Sequence, residues 1–89
     1  MPSVSVCLPA YNSERTIARA ITSVLEQTYR DFELIVIDNS STDTTFAIIE
    51  AFTDERIRVF RNDTNIGLVG NHNRCVTLAS GDLVQFVHS

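Results

Sequence analysis

A few short stretches of this chain hold most of the side chains that could do chemistry. Pro9-Ala10-Tyr11-Asn12 offers a rigid ring, an aromatic face and an amide; Asp38-Asn39-Ser40-Ser41-Thr42-Asp43 offers carboxylates and small hydrogen-bonding groups. Asn65-Ile66-Gly67, Gly70, His72 and Asn73 follow, and His88-Ser89 comes last. Tyr11 could stack on a nucleobase, because every base has a π-face, or pack on a neighbouring helix. Asp38 could accept from a ribose hydroxyl or a base N–H. Its neighbours are all turn formers, so it could equally organise a helix-capping turn. Gly67 suits a positive φ before a helix. A lone histidine such as His72 reads as a surface or satisfied group. His88 is usable as a metal ligand or general base, with no second ligand nearby in sequence.

The elements around these stretches explain why they would meet. Ser3 to Leu8 is short, β-branched and mostly apolar, and reads as a buried strand ended by Pro9. Asn12 or Ser13 is placed to cap the next helix, in which Ile17, Ala20, Ile21, Val24 and Leu25 recur on one face. Phe32 to Ile37 is a second buried strand. Ser40 with Asp43 resembles a capping box for a helix through Phe46, Ile49 and Phe52. Ile57 to Arg61 reads as a third strand, with Arg58 pointing away from Ile57 and Val59. Leu68 or Val69 to Ala79 reads as a third helix stopped by Gly81, and Asp82 to Val87 as a fourth strand. Strands alternating with helices at this spacing predict βαβ units and a parallel sheet. Ligands bind beyond the carboxyl ends of such strands, and Pro9 to Asn12, Asp38-Asn39 and His88-Ser89 all fall there.

Bulk properties narrow the classes. The chain has 89 residues, enough for one domain with a small core. Its net charge is −4, which argues against nucleic acid as a partner. All 7 basic residues are Arg, so Schiff-base lysine chemistry and a P-loop are excluded. The missing lysine also argues against a phospho-receiver domain, another α/β class. The loop after the first strand is not G-x-G-x-x-G, which disfavours a dinucleotide fold. No apolar run approaches the roughly 20 residues of a membrane span, and Met1-Pro2-Ser3-Val4 shows no signal-peptide pattern. Cys7 and Cys75 lack C-x-x-C spacing and read as two reduced thiols.

In series, V-S-V-C-L-P-A-Y-N, S-V-L-E-Q-T-Y-R-D-F-E-L-I-V-I-D-N-S-S-T-D, N-I-G-L-V-G-N-H-N-R and A-S-G-D-L-V-Q-F-V-H-S resemble glycosyltransferase family 2 over essentially the whole chain. The resemblance implies a GT-A fold: a Rossmann-like three-layer α/β sandwich with a mainly parallel sheet in the order 3-2-1-4. It implies transfer of a sugar from a nucleotide-diphosphate donor to an acceptor such as a polysaccharide, lipid or other glycan, as in cell-envelope polysaccharide synthesis. Residues 1–89 would be the N-terminal nucleotide-sugar-binding part, and Pro9, Ala10, Tyr11, Asn12, Asp38 and Asn39 the nucleotide-binding residues. Asn39 departs from the family's commoner Asp-Asp pair, and His72 stands where many members have Arg or another large residue. The D-x-D metal motif would begin at His88, with its aspartate beyond Ser89. No residue here is a catalytic base, and no metal site is complete. The full-length enzyme would use Mg²⁺ or Mn²⁺ to neutralise the departing diphosphate, with none bound to these residues alone. The implied chain is inactive by itself, or a non-catalytic nucleotide-binding module. It would be cytoplasmic, at the cytoplasmic face of a membrane carrying the acceptor. An exposed apolar fourth strand would favour a homo-oligomer.

Overall fold

The computed structural model describes residues 2–89. The elements run β1 (Val4–Ala10), α1 (Ile17–Leu25), β2 (Phe32–Asp38), α2 (Thr45–Glu50), β3 (Ile57–Arg61), α3 (Gly67–Leu78) and β4 (Leu83–Phe86). The four strands form one sheet in the order β3-β2-β1-β4, and every neighbouring pair is parallel. This is the parallel sheet that the alternation of strands and helices predicts, in the three-layer arrangement and the strand order that the resemblance implies.

The two faces of the sheet carry separate cores. Val6, Leu8, Ala10, Leu34 and Val36 point to one face and pack with Ile17, Ile21 and Val24 of α1 and Ile49 of α2. Cys7, Ile35 and Ile37 point to the other and pack with Cys75 of α3. Burial on both faces explains why β2 reads as a nearly continuous apolar run, without the alternation of a half-exposed strand. Full burial of an aliphatic side chain is worth about 1.5–3 kcal/mol, so the α1 stripe is a main source of cohesion. Both cysteines are buried as free thiols. Hydrogen bonding to Cys7, together with burial, holds the Cys75 thiol above its ordinary range.

Several local expectations need correction. Pro9 does not end β1, which continues to Ala10. The Cys7 carbonyl accepts from Val87 on the β4 side, and the Ala10 carbonyl accepts from Asn39 on the β2 side. By alternation the Pro9 nitrogen faces the β4 side, where β4 has already stopped, so no ladder bond is lost. Neither Asn12 nor Ser13 caps α1, which begins after Thr16 and has no side-chain cap bond. The Ser13 carbonyl instead accepts from the Thr16 and Ile17 N–H groups in a preceding turn. Ser40 does not cap α2; it takes φ 60°, and Thr44 holds the cap position. Asp43 accepts from the Thr45 N–H at 2.9 Å, local bonding that works from the other side of the expected box. Phe52 lies beyond the end of α2. Gly81 is not a left-handed helix stop: α3 ends at Leu78 and Ala79 is extended. Glycine is required because a Cβ at residue 81 would lie 2.8 Å from both the Ser5 nitrogen and the Val4 carbonyl carbon.

Polar residues on the α3 face tie the amino ends of the strands together. The Glu33 carboxylate accepts from Ser5 Oγ at 2.5 Å, from Ser80 N–H at 2.7 Å, from Ser80 Oγ at 2.8 Å and from Arg58 at 2.9 Å. Arg58 points away from Ile57 and Val59 as expected, and also donates to the Leu78 carbonyl. Burial alone would raise the Glu33 pKa, but these donors outweigh it and hold the carboxyl at about 2.

Candidate nucleotide-binding site

The carboxyl ends of β1 and β2 face the amino end of α3, and a cavity of about 130 Å³ lies between them. Pro9, Ala10, Tyr11, Asn39, Asn65, Leu68 and Asn71 line it. An engineered cavity of about 150 Å³ in another protein accommodates benzene, so this space suits one six-membered ring. Tyr11 is 48% exposed and Leu68 70% exposed, so the mouth presents two apolar side chains to solvent. The inner wall is made of buried amides. Such a space is apolar at the entrance and fixed in polarity at its base, and it can hold a flat heterocycle.

Of the residues singled out from sequence, Pro9, Ala10, Tyr11 and Asn39 meet at this cavity. Asp38 and Asn12 are not among its lining residues. Asp38 is fully buried, and its carboxylate serves the turn that follows β2. It accepts from Ser41 N–H at 3.0 Å and Ser41 Oγ at 2.5 Å, and Arg61 Nε lies 3.4 Å away. Of the two readings open for Asp38, its bonding matches the turn organiser. Asn12 adopts φ 47° and stitches the two site loops together. Its N–H donates to Ser41 Oγ at 2.8 Å, and its Oδ1 accepts from Thr42 N–H at 2.9 Å. Ser13 N–H donates to Thr45 Oγ1 at 2.7 Å, and Glu14 accepts from Thr44 Oγ1 at 2.6 Å. The loop that presents Tyr11 is therefore braced against the loop after Asp38.

A chain of amides runs along the cavity, with Asn39, Asn65 and Asn71 lining it and Asn62 behind them. Asn39 Oδ1 accepts from Asn62 Nδ2 at 2.9 Å and from Ile66 N–H at 3.0 Å. Asn39 Nδ2 donates to Asn65 Oδ1 at 3.1 Å and to the Gly67 carbonyl at 3.2 Å. Asn62 also donates to Asn71 Oδ1 at 2.9 Å and accepts from Arg74, and Asn71 Nδ2 donates to the Ile37 carbonyl at 3.2 Å. Sequence reading singles out His72 and Asn73 on α3 and passes over Asn71. The signal was the spacing of four between Asn71 and Cys75, the two residues α3 buries.

His72 is not at the cavity. Its ring stacks on Phe86 with centroids 4.8 Å apart, and the His88 ring is 5.4 Å from it. Ser89 Oγ lies 2.8 Å from Ser13 Oγ. Among the described residues no three His, Cys, Asp or Glu side chains come close enough to hold a metal ion, so these residues do not fit a divalent-cation site. No helix among them is long and apolar enough to cross a membrane.

The pattern of the family described as Glycosyl transferase family 2 matches residues 5–89. The chain belongs to glycosyltransferase family 2. This family 2 chain is 42% identical over 87 residues to an Escherichia coli protein, UDP-Glc:alpha-D-GlcNAc-diphosphoundecaprenol beta-1,3-glucosyltransferase WfgD, with 97% of this chain covered. The chain spans 34% of that relative's length. It superposes on the crystal structure of S. aureus TarS 1–349 in complex with UDP with a TM-score of 0.90 and 34% identity, covering 100% of this chain and 27% of TarS 1–349. It also matches a Pyrobaculum calidifontis mannosyltransferase in complex with GDP-Man and Mn²⁺, with a TM-score of 0.84, 27% identity, and coverage of 93% of this chain and 26% of that one. Family 2 membership, the GT-A fold and the sheet order 3-2-1-4 implied by the resemblance therefore hold.

Proposed function

We propose that residues 1–89 are the donor-binding part of a glycosyltransferase that moves a sugar from a nucleoside-diphosphate donor to an acceptor glycan. The observation that supports this best is the ring-sized cavity between Tyr11, Leu68 and the Asn39 amide, at the carboxyl edge of a parallel sheet. In this reading Tyr11 packs on the nucleobase while Pro9 and Ala10 shape the wall. Asn39 keeps the α3 loop in place, and Asp38 with Asn12 holds the two loops that carry the site. The divalent cation seen with the mannosyltransferase needs ligands beyond those described here. In this reading the acceptor is carried on a lipid diphosphate, like the one in the name of the E. coli relative, and the reaction runs at the cytoplasmic face of a membrane.

Titration of UDP and dTDP into the isotopically labelled chain tests the reading. Residues 9–12, 38–41 and 65–71 are expected to shift first. With net charge −4, affinity for a diphosphate should be weak. Shifts confined to the amino ends of the strands, around Glu33 and Ser80, would refute the placement. The lack of a metal-ligand cluster among the described residues also supports a second reading, a nucleotide-binding module without transfer. Turnover by a polypeptide that carries the chain with all its flanking sequence separates the two.

A further inference from the structure

Three amides line the cavity, Asn39, Asn65 and Asn71, and Asn62 lies behind them; the orientation of all four is fixed by unambiguous partners. An N–H can only donate, so Ile66 N–H fixes the oxygen of Asn39, and Gly67 N–H, 2.8 Å away, fixes the oxygen of Asn65. The Ile37 carbonyl can only accept, so it fixes the nitrogen of Asn71, and the Arg74 guanidinium fixes the oxygen of Asn62. Asn39 is then saturated: its oxygen accepts two hydrogen bonds and its nitrogen donates two. It lines the cavity with no free valence for a ligand.

Asn65 is the opposite case. Its oxygen is committed to Gly67 N–H and to Asn39 Nδ2. No group among the described residues accepts from its Nδ2, and the residue is exposed and lines the same cavity. Gly67 takes φ +83°, a conformation that glycine adopts without strain, and this holds the loop in the shape that turns its N–H onto Asn65. The result is an amide donor pinned at its oxygen, with both its N–H bonds available at the edge of a space the size of one ring.

We infer that Asn65 is the base-reading residue of this site, selecting a keto-pyrimidine nucleotide by donating to the carbonyl at ring position 4, while Asn39 acts as a positioning residue. The inference rests on the nucleotide-binding reading above. Uracil and thymine carry a carbonyl oxygen at position 4, whereas cytosine carries an amine there, which would set donor against donor. A site that leaves a donor unpaired rejects the wrong base more strongly than one that merely loses contact area.

The test is a comparison of UDP and CDP binding by the wild-type chain, Asn65→Asp and Asn65→Ala, read by NMR titration. The same spectra and a thermal melt report whether each variant is folded. Asp keeps an oxygen for Gly67 and Asn39 but loses the donor; its added charge weakens both nucleotides alike, so the ratio is the readout. Wild type should prefer UDP by about tenfold, the worth of one hydrogen bond in such a site. In Asn65→Asp the preference should vanish or invert, because a carboxylate accepts from the cytosine amine, and in Asn65→Ala it should fall to about one. A folded Asn65→Asp that keeps the wild-type ratio within about twofold overturns the inference while leaving nucleotide binding intact. A wild-type chain with no preference does the same, and one that binds neither nucleotide overturns both readings.

Discussion

Replacing Glu33 by Gln should destabilise the chain in a way that depends on pH. The Glu33 side chain is 9% exposed and bonds to donors from β1, β3 and the turn before β4, so its charge is part of what joins those segments. Its pKa falls from 4.5 to about 2 on folding. At about 1.36 kcal/mol per pKa unit, the folded state gains about 3 kcal/mol from the ionised carboxylate. The folded pKa is depressed, so this stability is fully present above pH 4.5 and is lost as pH falls through about 2. Gln cannot supply it at any pH, and its NH₂ would face donors. Urea unfolding of both proteins between pH 7 and pH 2.5 measures the gap. We expect about 3 kcal/mol at pH 7, narrowing below about 1 kcal/mol near pH 2.5 as the wild-type carboxyl protonates. Asp54 and Asp43, whose pKa values are also lowered, titrate in both proteins and cancel in the difference. A gap that stays constant from pH 7 to pH 3 would show that Glu33 contributes through shape alone and refute the reasoning.

Gly81→Ala should lower stability by about 3 kcal/mol, since its Cβ would meet the β1 backbone at 2.8 Å; an unchanged melting temperature would mean that the loop shifts freely. A polypeptide of these 89 residues alone, given UDP-, GDP- and dTDP-sugars with Mn²⁺, should release no nucleoside diphosphate, because it spans only 34% of the length of the E. coli glucosyltransferase it matches; sustained protein-dependent release would contradict this. At micromolar concentration the same polypeptide should self-associate, because Leu83 and Val84 on the β4 edge and Leu68 and Val69 on α3 are exposed apolar side chains. Light scattering that returns a clean 9.9 kDa monomer would exclude that contact.

The class of this protein was legible in its residues. Mostly apolar runs at Val4 to Leu8 and Phe32 to Ile37, broken only by Ser5 and Glu33, call for sheet faces covered on both sides, and the 3.6-residue stripe from Ile17 to Leu25 supplies one cover. Polar strand ends then had to converge on one edge, which brings Pro9 to Asn12, Asp38-Asn39 and His88-Ser89 there, but of these only Pro9, Ala10, Tyr11 and Asn39 line the cavity. The roles inside that edge were decided only by tertiary structure. Asp38 and Asn39 are adjacent and similar in sequence, yet one carboxylate is consumed by Ser41 and the other side chain by Asn62, Asn65 and α3. Local pattern also misassigned the caps: Asn12 bonds instead to Ser41 and Thr42, about 30 residues away and beyond anything a capping rule can see, and Ser40 takes a positive φ of 60°. Gly81 makes the same point: nothing in its neighbours announces that the Val4-Ser5 backbone passes within a Cβ of it. Periodicity reports which face of an element is apolar. Which partner satisfies each polar atom depends on segments distant in sequence, and only the folded chain brings them into contact.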